Sequence, residues 1–520
     1  MSVLMATALH AANVCQKNVA YVGNTVDPKN CSDPNWVDTG NTSWQMTAAT
    51  FVGLMSLPGL AVLYAGLVPK KWAVNTMFMA FTGFSAVMVV WVLWGYKMGF
   101  GSPIGGGTPS GDYTYHYTGN FFANFFNNFV GHPQSINGGN AQMGQAGLPI
   151  GTAVPLQMPT PALAYFQFVF AAITPLLFLG SVVGRIKPIV WMIFVPAWCT
   201  FVYTVNAMLL WGGGYWAHEG ALDYSGGYVI HLAAGVSGFT AAWIIGPRLA
   251  RDKAKWVPHS LTMVAVGAGI VWLGWNGFNG GDPYFSGRDA ATALINTNAA
   301  TAAGLLTWVV WDMVLSKSKK PTFLGGVNGM ICGLVGITPC AGYVSGSGAL
   351  WVGIITSTIV WFAWTYLQPI TLRKVDDASG VVYTHGLAGL CGGLLVGIFA
   401  DPSIIVYTSS NGNPVTVAGA LYGHPKQLLI QFLAALTIII WDALLTFIIL
   451  RVIGIFTSLR VPDDFLEGGD VEIHEEEAYP PDEGYVRTGE LVGVGATPGS
   501  SGSTTASPGA SSDSLAGETR

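Results

Sequence analysis

The chain has 520 residues, 51% of them hydrophobic and only 9% charged, with 68 glycines and a formal net charge of −5. Soluble domains carry charge on about a quarter of their residues, so this composition excludes an ordinary globular protein and, with it, a nucleic-acid binder built on a basic surface. Apolar runs of about 18–25 residues, the length that crosses a bilayer core, recur along most of the sequence. The expected class is an all-α polytopic membrane protein.

In chain order, residues 1–44 are polar, with N-x-S/T sequons at Asn30 and Asn41 and cysteines at 15 and 31. They read as an extracellular segment in which Cys15 and Cys31 either pair or stay free. Residues 1–12 are mildly apolar but lack the basic flank of a signal peptide. Residues 45–456 form the transmembrane domain, with spans predicted at 46–68, 76–98, 162–184, 188–211, 225–246, 260–279, 292–314, 323–340, 347–366, 380–399 and 429–456. The stretch 99–161 is long, nearly uncharged and rich in Gly, Asn and Pro, which predicts an irregular loop. Cys199, Cys332, Cys340 and Cys391 lie in or beside apolar runs and read as small core residues, with no metal or disulfide framework.

Residues 457–494 form an acidic tail, expected to dock by charge on the basic loops Arg248–Lys255 and Lys317–Lys320. The Ser/Gly/Thr/Ala/Pro composition of 495–520 predicts disorder. Thirteen basic residues fall in alternate loops (Lys70 and Lys71; Arg185 and Lys187; Arg248, Arg251, Lys253 and Lys255; Lys317, Lys319 and Lys320; Arg373 and Lys374) against five on the other side. The positive-inside rule then puts the N-terminus outside and the C-terminus in the cytoplasm, as an odd number of spans requires.

Within this frame one pattern occurs twice. Asp223-Tyr-Ser-Gly-Gly-Tyr-Val-Ile-His231 and Asp377-Ala-Ser-Gly-Val-Val-Tyr-Thr-His385 share the form D-x-S-G-x-x-x-x-H, continued by x-x-A-G-x-x-G, and the histidines stand 154 residues apart. Five spans separate the copies, so they run in opposite senses: an inverted 5+5 repeat with an eleventh helix outside it. Inverted repeats of this kind build transporters with the pathway near the midplane. Each histidine lies eight residues past its aspartate, about 12 Å along a helix, so the two side chains converge from opposite faces. An ionisable residue inside hydrocarbon is by default functional. The aspartates sit where helix N-caps belong: Asp377 reads as a structural cap, and Asp223 as a cap with a secondary electrostatic role.

Further motifs accompany the pair: Phe170-Ala-Ala-Ile-Thr174, Trp211-Gly-Gly-Gly214, Gly277-Phe-Asn-Gly-Gly-Asp282, Val375-Asp376-Asp377 and Leu459-Arg-Val-Pro462. Together, in this order, they resemble the Amt/Mep/Rh ammonium transporters over nearly all of residues 44–480, most closely the plant type-2 branch. The resemblance implies eleven helices per subunit, a homotrimer and a pore in each subunit, in a plasma-membrane protein that is not an enzyme. It implies no cofactor and no metal. Phe170 and Phe278 match the stacked phenylalanines that close the outer vestibule, Trp211 the tryptophan at the outer cation site, His231 and His385 the paired pore histidines, and Asp223 the carboxylate beneath the site. Asp282 stands where many members have serine; the plant type-2 branch is similar in having Asp there. It either faces the cation, pairs with Arg288 or caps the next helix. Some plant members carry a regulatory threonine in the tail where this chain has Glu472, which sets aside control through that position.

The chemistry is consistent with that resemblance. Ammonium is close to potassium in size, so selection must use its hydrogen-bond donors and its removable proton. An aromatic face attracts a desolvated cation by about 1–2 kcal/mol, and a dry passage penalises any ion that stays charged. Two imidazoles bonded to each other offer a donor and an acceptor in mid-pore. The expected function is therefore transport of ammonium, with methylammonium as analogue, through a bilayer-spanning pore. Two alternatives stand beside it: an ammonium sensor signalling through its tail to a cytoplasmic regulator, and a membrane redox protein with His231 and His385 as axial haem ligands.

Overall fold

A segment in hydrocarbon must satisfy every backbone N–H and C=O within itself, and the apolar runs do so as helices. The computed structural model describes residues 36–105, 120–150, 152–371, 374–405, 407–408, 414–479, 485–487 and 490–492. The helices are α1 (Thr39–Leu67), α2 (Lys70–Phe100), α3 (Thr160–Val182), α4 (Pro188–His218), α5 (Gly227–Ile245), α6 (Leu261–Gly280), α7 (Arg288–Leu315), α8 (Phe323–Ile337), α9 (Gly346–Thr371), α10 (Val382–Phe399) and α11 (Lys426–Phe456). All but α8 are long and apolar enough to cross a membrane. Among the described residues each of the eleven predicted spans thus falls on one of these helices, with α8 the short one. Cys15, Cys31, Asn30, Arg373 and residues 495–520 lie outside the described residues.

Two local expectations need correction. The first helix begins at Thr39, seven residues early, because the Asp38 carboxylate accepts the Asn41 N–H at 2.7 Å and caps it. Asn41 is then buried, bonded to Gln157 and Ser286, and its sequon is closed to modification. The stretch 99–161 is not wholly irregular: it carries short helices at Phe121–Asn127 and Gly139–Met143, and strands Gln145–Ile150 and Thr152–Pro159 pair antiparallel.

The inverted repeat is visible in backbone detail. Gly226 (φ 111°) and Gly380 (φ 74°) occupy the left-handed region that only glycine enters freely. Each precedes a π-helical turn, Gly227–Leu232 in α5 and Val382–Leu387 in α10, and each turn carries its histidine. Such turns are rare and concentrate at functional sites. The two helices cross at Gly235 and Gly386, where a Cβ on Gly235 would stand 2.1 Å from the Gly386 Cα. Only hydrogen fits there.

Opposite senses follow from Arg248, just past the end of α5, which grips Asp376, just ahead of α10. Its Nη2 and Nε donate to the Asp376 carboxylate at 2.6 and 2.9 Å, and its backbone N–H does so at 2.8 Å. Burial alone would raise the Asp376 pKa, but the Arg248 guanidinium outweighs it and holds the carboxyl down at about 2. A depressed carboxylate stabilises the fold above its ordinary titration range, and that stability is lost as pH falls through about 2. Arg248→Gln strands a buried carboxylate, so it should cost about 3–5 kcal/mol, read as a lowered Tm of the detergent-solubilised protein; an unshifted Tm would refute the pair's role.

The tail is folded against this same face. Short helices at Asp463–Gly468 and Asp470–His474 lie beneath α2. The Asp470 carboxylate accepts the N–H groups of Val74 and Asn75 at 2.7 and 2.8 Å. Lys71 donates to the Leu466 carbonyl at 2.8 Å and bridges Asp252, while Lys70 pairs with Glu477 at 2.9 Å. The expected docking on Lys317–Lys320 is not made among the described residues, and in the Arg248–Lys255 loop it is Arg251 that faces Glu467, at 3.7 Å. The anchor is a helix start rather than a lysine cluster, since orphan N–H groups there take a carboxylate directly.

Burial raises the Asp470 pKa to about 7 despite those two N–H bonds. A raised carboxyl favours the docked tail most at low pH, so docking weakens as pH rises from the ordinary carboxylate range through about 7 and is level above it. Proteolytic cleavage of the tail should accelerate over that window and lose the dependence in Asp470→Asn; a flat profile in the unaltered chain would contradict this.

Candidate functional site

The residues singled out from sequence converge on one file of rings. Phe170, on α3, and Phe278, on α6, approach to 4.3 Å between centroids at a 35° tilt. The Trp211 indole meets Phe170 edge-on at 6.0 Å. On the far side Phe278 stacks on His231 at 5.8 Å, and His231 lies 5.5 Å from His385. Phe170, Phe278 and His231 are fully buried, with Trp211 and His385 at 8% and 5% exposure at the two ends. The file therefore reads Trp211, Phe170, Phe278, His231, His385.

Each ring is set by its backbone. Trp211 ends the main stretch of α4 at a Gly-Gly-Gly break that precedes its last turn, Tyr215–His218, and its Nε1 donates to the Asp223 carbonyl at 2.6 Å. The Asp223 carboxylate accepts four consecutive N–H groups, from Gly226, Gly227, Tyr228 and Val229, at 2.5–3.1 Å. Its whole acceptor capacity goes to the start of α5, which makes it a cap. Asp377 does less, taking the Val382 N–H at 2.9 Å.

Both His231 ring nitrogens are without a hydrogen-bond partner among the described residues, and the expected bond between the two imidazoles is not made. The His385 Nδ1 is instead 3.0 Å from the Thr384 hydroxyl. The physical reason is on the other face of His231, where Trp275 stacks at 5.3 Å and 21° and, with Phe278, fixes the ring plane. Imidazoles 5.5 Å apart leave no room for a haem plate between them. Among the described residues no three His, Cys, Asp or Glu side chains converge to hold a metal.

Asp282 resolves differently from two of its three readings. It makes no ion pair with Arg288 among the described residues, and α7 is preceded by Gly287 with no side-chain cap. Its carboxylate turns inward and accepts from the Ser225 hydroxyl, which also lies 3.0 Å from the Phe278 carbonyl. Burial pushes its pKa well above the usual carboxylate range. Ser225 and Trp275 were not singled out from the sequence. Trp275 precedes Phe278 by three residues and so shares its helix face, a signal obscured by 19 tryptophans in the chain.

A polytopic helical bundle with an inverted repeat, enclosing a buried aromatic file that ends at two histidines, is the architecture of a membrane transport protein. The Ammonium Transporter Family matches residues 43–479. The chain is similar to Ammonium transporter 3 member 2 of Oryza sativa subsp. japonica, 42% identical over 470 residues, covering 89% of this chain and 93% of the relative. It is likewise 42% identical over 461 residues to Ammonium transporter 2 of Arabidopsis thaliana, covering 87% and 90%. Among solved structures, Mep2 of Saccharomyces cerevisiae superposes with a TM-score of 0.69 at 29% identity, covering 84% of this chain and 91% of that one. The chain belongs to the ammonium transporter family.

Proposed function

We propose that this chain transports ammonium across the membrane through the aromatic file. The cation is drawn to the Trp211 face beside Asp282, and Phe170 and Phe278 bar its hydrated form. It yields its proton to water at the mouth and passes as ammonia to His231 and His385. The observation that carries this reading is the unbroken contact from Trp211 to His385, with every intermediate ring fully buried. A charged ion in so dry a passage loses its hydration at a cost of several kcal/mol, whereas neutral ammonia does not. The unpaired His231 nitrogens offer what an ammonia molecule needs, a donor and an acceptor on rings that cannot turn away.

The remaining assignments follow the family. The protein is a multi-pass plasma-membrane homotrimer with its N-terminus outside and the tail face in the cytoplasm. The tail, held under α2 by Asp470, is the segment through which a cytoplasmic regulator acts. That docking also favours a second reading, an ammonium sensor; removal of the tail that leaves uptake intact while abolishing an ammonium response would support it. The primary test is growth of cells lacking their own ammonium transporters on low ammonium. Rescue is the expected result, and failure of correctly inserted protein to rescue overturns the reading.

A further inference from the structure

Away from the file, α5, α10 and α11 leave an open groove of about 810 Å³ between them. Phe239 and Trp243 of α5, Leu387 of α10, and Ile440, Leu444 and Phe447 of α11 line it, and Phe239, Trp243, Ile440 and Leu444 are 41–58% exposed. The hydroxyls in its lining are already bonded: Thr240 donates to the Val236 carbonyl at 2.9 Å, and Thr371 and Tyr383 bond each other. The floor of the groove is the back of the histidine site. Val382, Tyr383, Gly386 and Leu387 line it, whereas Thr384 and His385, on the same π-helical turn, do not. Gly235 and Gly386 both line it where they cross, so at that point the wall has no side chain.

Toward the tail the groove ends on a cation. Phe447 stacks with Trp243 at 6.1 Å and 26°, and the Arg451 guanidinium lies 5.0 Å from the Phe447 ring centroid. Arg451, one turn further along α11, lines a second pocket of about 360 Å³ with Thr457, Ser458 and Arg460. Arg460 is engaged by Asp463 at 3.1 Å. Arg451 is exposed and makes no ion pair among the described residues. From Ile439 to Arg451 the helix rises about 18 Å, close to the roughly 15 Å of one leaflet's hydrocarbon.

We propose that this groove binds one anionic phospholipid of the tail-side leaflet, with an acyl chain against the Gly235–Gly386 crossing and the phosphate on Arg451. An apolar channel between membrane-spanning helices takes hydrocarbon, and an uncompensated guanidinium at its end selects an anionic head group. Trp243 marks the boundary between the two, since indoles settle where hydrocarbon meets head groups. The acyl chain packs the back of the turn that carries His385 and steadies the crossing; it does not touch substrate. The inference does not depend on the transport reading.

The test adds phosphatidylserine or phosphatidylcholine to full-length protein in detergent and follows lipid retention by native mass spectrometry, alongside Tm. The unaltered chain should hold phosphatidylserine about fivefold more tightly, the worth of one basic residue at an anionic surface, and gain Tm from it. Arg451→Gln should hold the two lipids alike. Leu444→Trp, which fills the groove, should lose the tightly held phosphatidylserine and its gain in Tm. Equal retention of the two lipids by the unaltered chain overturns the site. A preference that survives Arg451→Gln, or retention unchanged by Leu444→Trp, places the lipid elsewhere and overturns it too. If Leu444→Trp disperses an assembly of copies while lipid retention holds, the groove is an interface between copies and the proposal fails. If Leu444→Trp does not fold, Arg451→Gln, an exposed change, decides alone.

Discussion

Replacing His231 and His385 together by alanine should lower ammonium uptake by at least about tenfold, the worth of one hydrogen bond to a charged or reacting group, and should let potassium through. Both effects come from the same geometry. His231 packs against the Trp275–Phe278 pair, stacked on one at 5.3 Å and on the other at 5.8 Å, so alanine opens a cavity beside them that continues toward His385. Water entering that cavity removes the dry barrier on which discrimination rests, because an ion that keeps its hydration no longer pays to enter. Ammonia meanwhile loses the donor and acceptor that replace its water. Aspartate at the two positions should widen the leak further by adding charge that attracts cations. Tracer uptake alongside potassium flux in the same cells checks both halves; unaltered flux with unaltered selectivity would refute the assigned role of the pair.

Asp223→Ala should abolish assembly rather than tune transport. Four N–H groups at the start of α5 depend on that carboxylate, and each buried donor left unsatisfied costs about 1–3 kcal/mol. The total rivals the stability of a whole domain, about 5–15 kcal/mol. The same change frees the segment whose carbonyl holds the Trp211 indole, so the mouth of the file loses its alignment as well. Asp223→Asn separates cap from charge. Its amide oxygen still accepts from Gly226 and Gly227, while its NH2 opposes the N–H groups of Tyr228 and Val229. It should assemble with a lowered Tm and keep partial uptake. Full assembly and full Tm in the alanine variant would contradict the capping account.

These two predictions rest on features that differ in how much of them the sequence discloses. The repeat D-x-S-G-x-x-x-x-H and its odd span separation are enough to bring His231 and His385 to one place, because helix rise and span count are fixed by backbone geometry. The π-helical turns are invisible in it, since the i→i+5 pattern leaves no side-chain period. The spacing of Trp275 from Phe278 is legible, but its stacking on His231, which belongs to another helix, is set by tertiary packing alone. Asp223 was legible as a cap from its place ahead of Ser225-Gly226; its four-fold use was not. The tail illustrates the opposite failure. Charge attraction gave the correct face, and the helix start at Val74 and Asn75, rather than Lys317–Lys320, set where Asp470 docks.

The central claim is that the buried file passes nitrogen as ammonia and excludes ions of similar size. Purified protein in liposomes, pulsed with ammonium and then with potassium at equal concentration while internal pH and current are recorded, tests it most directly. The account predicts saturable entry of ammonium and no potassium flux. Potassium entry comparable to ammonium, or no ammonium entry by correctly reconstituted protein, would contradict it.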